Sequence, residues 1–316
     1  MPRLSHRQLG VVLALGSGVA FAVQPVVGQL ALDGGASIAS VLGWRYALAA
    51  IVLGVLARKG LARMRLRTAL LAFTLGLGLY AADSALFYAS LERTSAPFAT
   101  LLHYAHLVVV VGAAALLGRE RLDARRVAAL VGVLLGVVLV SGGGTPDALG
   151  IALALGSAAA YAAYILVSDR LLDDVDPMAF GALLTGGAAT AFLLFGSVTG
   201  QLGELGGAAG AAAVVSGALL GSVFALSAFL AGIRILGPGT ASLLVTIEVP
   251  AGLLFAALAL GERLTQAQLV GAALVVAAIA ILQLRLRLRL PSQASPAWIA
   301  RTRSIVSASL GTLSGR

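Results

Sequence analysis

The stretch Ala14-Leu15-Gly16-Ser17-Gly18-Val19-Ala20-Phe21-Ala22 (ALGSGVAFA) returns 140 residues later as ALGSAAAYA over 154–162. A neighbouring offset of 142 pairs Phe87 with Phe229, Ala89 with Ala231, Ala99 with Ala241, and Leu101-Leu102 with Leu243-Leu244. It also pairs Glu120-Arg121-Leu122 with Glu262-Arg263-Leu264. Ala- and Leu-rich sequence produces chance matches, but two segments that keep nearly one offset and share a charged triplet mark an internal repeat. The repeat decides the fold once the spans it contains are counted.

Of the 316 residues, 59% are apolar and 11% charged, and mean hydropathy is +1.00. A soluble domain carries about 25% charge, and a chain of this size with half of that has too little polar surface to cover itself. The chain reads as an integral membrane protein, which excludes soluble enzymes, secreted disulfide scaffolds and free nucleic-acid binders. Zero cysteines exclude disulfides, thiolate metal sites and a cysteine nucleophile.

Crossing roughly 30 Å of hydrocarbon takes about 20 apolar residues as helix. Ten stretches qualify: 9–31, 37–57, 67–91, 95–117, 124–142, 148–171, 177–198, 209–233, 240–260 and 265–284. Closely spaced glycines (Gly76 and Gly78, Gly132 and Gly136, Gly217 and Gly221) allow tight helix packing in lipid. The expected fold is all-α, with ten transmembrane helices. Residues 8–143 form the first five-helix repeat, 147–286 the second, and 287–316 a polar, basic tail. Five is odd, so the second repeat is inverted in the membrane, as in many secondary transporters.

Orientation follows the basic residues. Arg3, Arg7, Arg58, Lys59, Arg63, Arg65, Arg67, Arg119, Arg121, Arg125, Arg126, Arg170, Arg234, Arg285 and the five arginines of the tail fall on one side. Only Arg93 and Arg263 fall on the other, and Arg45 lies within a span. Both termini are therefore expected in the cytoplasm. The net charge of +9 marks membrane orientation and leaves no basic patch for nucleic acid. The 58–67 cluster is read as a topology signal facing anionic lipid. The acids of the 169–176 loop (Asp169, Asp173, Asp174, Asp176) contribute little to such a rule. Ala20-Phe21-Ala22 resembles a signal-peptide cleavage site, but the apolar run continues to Leu32, too long for an h-region, so cleavage is not expected.

The chain resembles the EamA-type, ten-helix members of the drug/metabolite transporter superfamily over about residues 8–286. The resemblance rests on ALGSAAAYAAYILVSDR (154–170), Trp44-Arg45-Tyr46, Gly118-Arg119-Glu120-Arg121-Leu122, Gly261-Glu262-Arg263-Leu264 and Glu248-Val249-Pro250. Two departures stand out: Arg119 splits the first Gly-Glu pair, and His106 stands near the place of a usual proline. The resemblance implies export of amino acids and other small metabolites across the cell inner membrane. It also implies a central cavity lined by helices 1, 3, 4, 6, 8 and 9.

Ionisable side chains in lipid cost about 2.5–3.5 kcal/mol on insertion scales and so face protein or water. The spans hold five: Arg45, Asp83, His103, His106 and Glu248. Placement alone has them converge on a polar midplane region. His103 and His106, at i and i+3, share a helical face and suit proton binding, substrate contact or a helix–helix hydrogen bond. Asp83 is either functional or an ion-pair partner for Arg45. Arg45 is read first as a structural anchor and second as a bidentate carboxylate donor. Glu248, the repeat partner of His106, stands beside Pro250, which frees a backbone carbonyl; it can take a proton or an amine, or belong to a packed helix bend.

Gln24 beside Pro25, together with Trp44, Tyr80, Tyr161 and Tyr164, completes the candidates for substrate binding or coupling. Glu120 and Glu262 are expected to cap helices. Two histidines and two carboxylates without cysteine make a poor metal set, and no cofactor is expected. No G-x-x-x-x-G-K-[ST] motif supports ATP coupling.

These features point to a secondary transporter working in efflux, with a small-molecule substrate and the bilayer as partners; proton coupling and facilitated diffusion fit the residues equally well. The competing class is an intramembrane enzyme acting on a lipid-linked substrate, for which no catalytic constellation is present. A channel-like pore is disfavoured by the inverted repeats. The cysteine-free chain makes topology directly testable. A Gly203→Cys variant should react with a membrane-impermeant maleimide from outside the cell; reaction from the cytoplasm alone overturns the orientation.

Overall fold

The computed structural model describes residues 5–24, 31, 34–91, 93–94, 96–118, 121–141, 147–172, 175–203, 205–260 and 264–288. Among them there is helix and no strand. The helices are α1 (His6–Phe21), α2 (Ile38–Leu56), α3 (Arg58–Arg63), α4 (Leu66–Leu75), α5 (Ala81–Leu91), α6 (Ala96–His103), α7 (His106–Leu116) and α8 (Ala124–Ser141). There follow α9 (Ala148–Leu171), α10 (Pro177–Thr199), α11 (Gly207–Ser216), α12 (Leu226–Leu236), α13 (Pro238–Val245), α14 (Glu248–Leu260) and α15 (Gln266–Leu288). Two π-helical segments, Gly76–Tyr80 and Gly217–Ala225, join α4 to α5 and α11 to α12.

Among the described residues, seven helical stretches are long and apolar enough to cross a membrane: Ile38–Leu56, Leu66–Ser90, Ala99–Leu116, Ala148–Leu171, Pro177–Thr199, Gly210–Leu236 and Pro238–Phe255. Helices α1, α8 and α15 occupy three further stretches expected to span. Residues 25–30, with Pro25, lie outside the described residues, as do Arg119, Glu120, Asp173, Asp174, Glu262, Arg263 and the tail from 289.

Two expectations about loops change. Residues 58–63 form the short helix α3. Asp169 lies buried within α9, and Asp176 caps α10 by accepting from the Met178 amide at 3.3 Å, with Pro177 in the first turn, where no N–H is needed.

The two halves break their helices in register. Gly76 and Gly217 open the two π segments 141 residues apart. The gap between α6 and α7, at Tyr104–Ala105, recurs 142 residues on between α13 and α14, at Thr246–Ile247. In the first gap Ala105 N donates to Leu102 O at 3.0 Å and Leu107 N to Tyr104 O at 3.0 Å. In the second Ile247 N donates to Leu244 O at 3.3 Å and Val249 N to Thr246 O at 3.0 Å. Each gap is thus a tight i→i−3 turn inserted into an apolar helix.

Packing follows the same exchange. Helix α2 packs most extensively on α10, its counterpart, and α8 on α15, its counterpart. The pairing of α5 with α9 is matched by that of α12 with α1. One apolar cluster joins Leu42, Phe180, Leu184, Leu226, Leu230 and Ile233; a second joins Val11, Leu107, Val133, Leu244 and Val275. Val55, Val108, Leu116, Leu135 and Val198 point outward and are exposed, an apolar exterior that suits lipid and would not suit water.

The α8–α15 contact depends on glycine. A Cβ on Gly136 would lie 2.7 Å from Gly271 O, and one on Gly271 would lie 2.6 Å from Gly136 O. Gly271→Ala should therefore cost about 1–3 kcal/mol by overpacking and lower the unfolding midpoint in detergent. Gly112→Ala, which meets nothing within 4 Å, should leave it unchanged or raise it. Equal midpoints for both variants would contradict this packing.

Candidate functional site

The breaks in α6–α7 and α13–α14 open onto one cavity of about 360 Å³. Of the ten candidates named from sequence, nine line it: Gln24, Arg45, Tyr80, Asp83, His103, His106, Tyr161, Tyr164 and Glu248. Trp44 does not; it is 47% exposed, on the outer face of α2. Helix α2 joins the expected lining helices through Arg45 and Tyr46.

The lining is built from repeat-equivalent pairs. Phe21 faces the cavity with Tyr161, Gln24 with Tyr164, and Phe87 with Phe229. Thr100 pairs with Ser242, His103 with Val245, Tyr104 with Thr246, and His106 with Glu248. The cavity therefore lies where the two halves meet, and equivalent positions carry different chemistry.

Asp83 is buried at 8% exposure. Its Oδ1 accepts a hydrogen bond from Ser157 Oγ at 2.8 Å, and His103 Nδ1 lies 3.8 Å away. Ser157 Oγ also meets His103 Nδ1 at 2.9 Å. The hydroxyl has one proton and gives it to Asp83, so Nδ1 of a neutral His103 must donate to Ser157. His106 Nδ1 contacts His103 O at 2.7 Å; a carbonyl only accepts, so this nitrogen carries a proton as well. In both rings Nε2 is left as the basic nitrogen. The His103 and His106 rings are 5.0 Å apart, with Tyr161 at 5.1 Å and 4.8 Å.

Glu248 accepts from the Tyr104 hydroxyl at 2.5 Å. The expected Arg45–Asp83 ion pair does not form among the described residues. Arg45 Nε donates to Ser222 Oγ at 3.3 Å, and its Cζ sits 5.0 Å from the centre of the Tyr46 ring. The reason is geometric: Ser157 and His103 hold the Asp83 carboxylate, while Gly217 on the facing π segment makes room for the Arg45 chain, whose Cδ lies 2.9 Å from the Cβ a side chain there would place. Gln24 likewise passes over Gly221, where a Cβ would collide with its amide.

Buried polar atoms without a protein partner face the same space: Gln24 Nε2, Tyr164 Oη and Ser242 Oγ. A buried donor without a partner costs about 1–3 kcal/mol, so these groups suit a polar ligand or water. No group of three or more His, Asp or Glu side chains is gathered for a metal among the described residues.

Sequence reasoning missed Tyr46, Ser84, Tyr88, Tyr104 and Ser157. Two carried a signal: Ser157 is part of the repeated Ala-Leu-Gly-Ser, and Tyr46 of Trp44-Arg45-Tyr46. Tyr46 Oη meets Ser84 Oγ at 2.7 Å, and Ser84 bonds back to Tyr80 O at 3.2 Å, tying α2 to α5 behind the cavity.

Residues 8–142 and 148–284 each match the EamA-like transporter family. A comparison with curated proteins finds no match. A solved structure titled only "Crystal structure of protein" superposes with a TM-score of 0.74 at 19% identity, over 89% of this chain and 99% of that one; this likeness concerns the fold. With both matched segments together covering most of its length, the chain belongs to the EamA-like transporter family of membrane proteins that carry small molecules.

Proposed function

We propose that the chain is a ten-span secondary transporter of the cell inner membrane that exports small metabolites such as amino acids by alternating access. Residues 8–143 and 147–286 would act as two inverted five-helix halves, with both termini and the 287–316 tail in the cytoplasm. The observation that carries this reading is the cavity whose walls are repeat-equivalent pairs set at matched helix breaks. Two inverted halves around such a site can exchange roles, and that exchange opens the site to one side and then the other.

The side chains support the substrate class. Arg45 offers a guanidinium to a carboxylate, and Glu248 and Asp83 offer negative charge to an ammonium. A volume near 360 Å³ holds a small metabolite and excludes large lipid-linked substrates. With both carboxylates ionised, both histidines neutral and Arg45 charged, the lining carries one net negative charge. A zwitterion leaves that charge unchanged and one proton cancels it, which supports proton coupling over simple diffusion.

The test is a flux screen of amino acids and related metabolites in proteoliposomes, with and without a pH gradient. A gradient acidic on the external side should accelerate export. His106→Ala and Glu248→Gln should each lower flux about tenfold or more, the scale of one charge-assisted contact, and flatten its pH dependence. If both variants keep wild-type flux and pH profile, proton coupling through these groups is wrong. Conversion of a labelled lipid without solute flux would overturn transport itself.

A further inference from the structure

Repeat symmetry makes one cluster stand out. Ser17 and Ser157 are equivalent serines on α1 and α9, and both are fully buried. Ser17 Oγ donates to the backbone carbonyl of Ala225 at 2.8 Å. Residue 225 is the repeat equivalent of Asp83, to which Ser157 donates at 2.8 Å. The same α-helix contact is therefore kept in both halves, but one half replaces a backbone acceptor with a carboxylate. The third member is replaced too: His103 in the first half, Val245 in the second.

We propose that Asp83, Ser157 and His103 form a single proton-binding unit, with the Ser157 hydroxyl joining carboxylate and imidazole, and that this unit is distinct from Glu248. It rests on the transport reading for its role, which is to hold a coupling proton at a position separate from the one that the His106 and Glu248 variants test, while Arg45 faces the substrate. Without the added proton the chain runs His103 Nδ1–H to Ser157 Oγ–H to the Asp83 carboxylate. A proton arriving at His103 Nε2 is balanced by transfer of the Nδ1 proton to Ser157 Oγ and of the serine proton to Asp83. The outcome is a neutral carboxylic acid, an unchanged serine and a neutral His103 bearing its proton on Nε2. The unit has gone from one negative charge to none.

The surroundings keep this proton local. Helix α9 faces Asp83 with Ser157, Tyr161 and Tyr164, α6 with His103, and the preceding π segment with Tyr80; α10 brings no titratable group. Across the cavity stand Arg45 and Tyr46 on α2, His106 and Tyr104 beside the first break, and Glu248 on α14; Tyr88 lies on α5 itself. Arg45 is held by Ser222 and Tyr46, and Glu248 by Tyr104. Neither shares the Ser157 bridge.

Infrared difference spectroscopy of the full chain in lipid vesicles, stepped between acidic and alkaline buffer, reads the proton directly and needs no transported solute. Two protonated-carboxyl bands are expected from the cavity, one lost in Asp83→Asn and the other in Glu248→Gln. Ser157→Ala should shift the Asp83 band and leave the Glu248 band in place, and Ser157→Thr, which restores a hydroxyl, should return it. Ser17→Ala is the matched control for packing and should move neither. The proposal fails if Asp83→Asn removes no band, if Ser157→Ala leaves the Asp83 band where it was, or if Ser17→Ala shifts it equally. A negative solute-flux screen with these bands behaving as stated would overturn the transport reading and leave the proton unit standing.

Discussion

Lipid supplies no hydrogen bonds, and that constraint governs the rest of the structure. A helix crossing the bilayer can be interrupted only where protein or a cavity takes over the released backbone groups. At Tyr104–Ala105 and Thr246–Ile247 the ladder shortens to i→i−3 bonds, and side chains take the carbonyls left over. His106 Nδ1 bonds His103 O, and Thr246 Oγ1 donates to Leu243 O at 2.6 Å. In the second half Pro250 explains the break, since it has no N–H to give Thr246 O. The first half has Val108 at that position, and there the imidazole of His106 holds the turn. One histidine thus both stabilises the break and lines the space that the break creates.

The two halves share a scaffold and differ in chemistry. Equivalent π segments, equivalent gaps and equivalent buried serines repeat almost residue for residue. Asp83 stands where the second half has Ala225, His103 where it has Val245, and Glu248 where the first half has His106. In the proposed transport cycle a symmetric frame would take up two equivalent conformations, and an asymmetric lining would let ligand and proton distinguish them.

Much of the site was legible from residue type and depth alone. An ionisable side chain within an apolar span must turn toward protein, so Arg45, Asp83, His103, His106 and Glu248 were bound to converge. Trp44 shows the limit of that reasoning. A neighbour of Arg45 in sequence points about 100° away around the helix, and its large apolar ring has no reason to avoid lipid. Ser157 and Tyr104 were hidden for the opposite reason: hydroxyls bury at little cost once bonded, so neither composition nor hydropathy marks them. The Arg45–Asp83 pairing failed because Asp83 had nearer partners on α9 and α6, an arrangement that depends on packing between distant segments.

The sequence by itself determined the membrane class, the doubled architecture and the short list of groups that had to face inward. Those follow from the cost of charge in hydrocarbon and from a repeat that survives at fixed offsets. Tertiary structure alone decided which donor meets which acceptor: the Ser157 bridge, the Tyr104–Glu248 contact, the release of Arg45 to Ser222, and the exclusion of Trp44. Hydrogen bonds act over about 3 Å and depend on direction, and no local pattern in the chain encodes how helices separated by more than a hundred residues are rotated against one another.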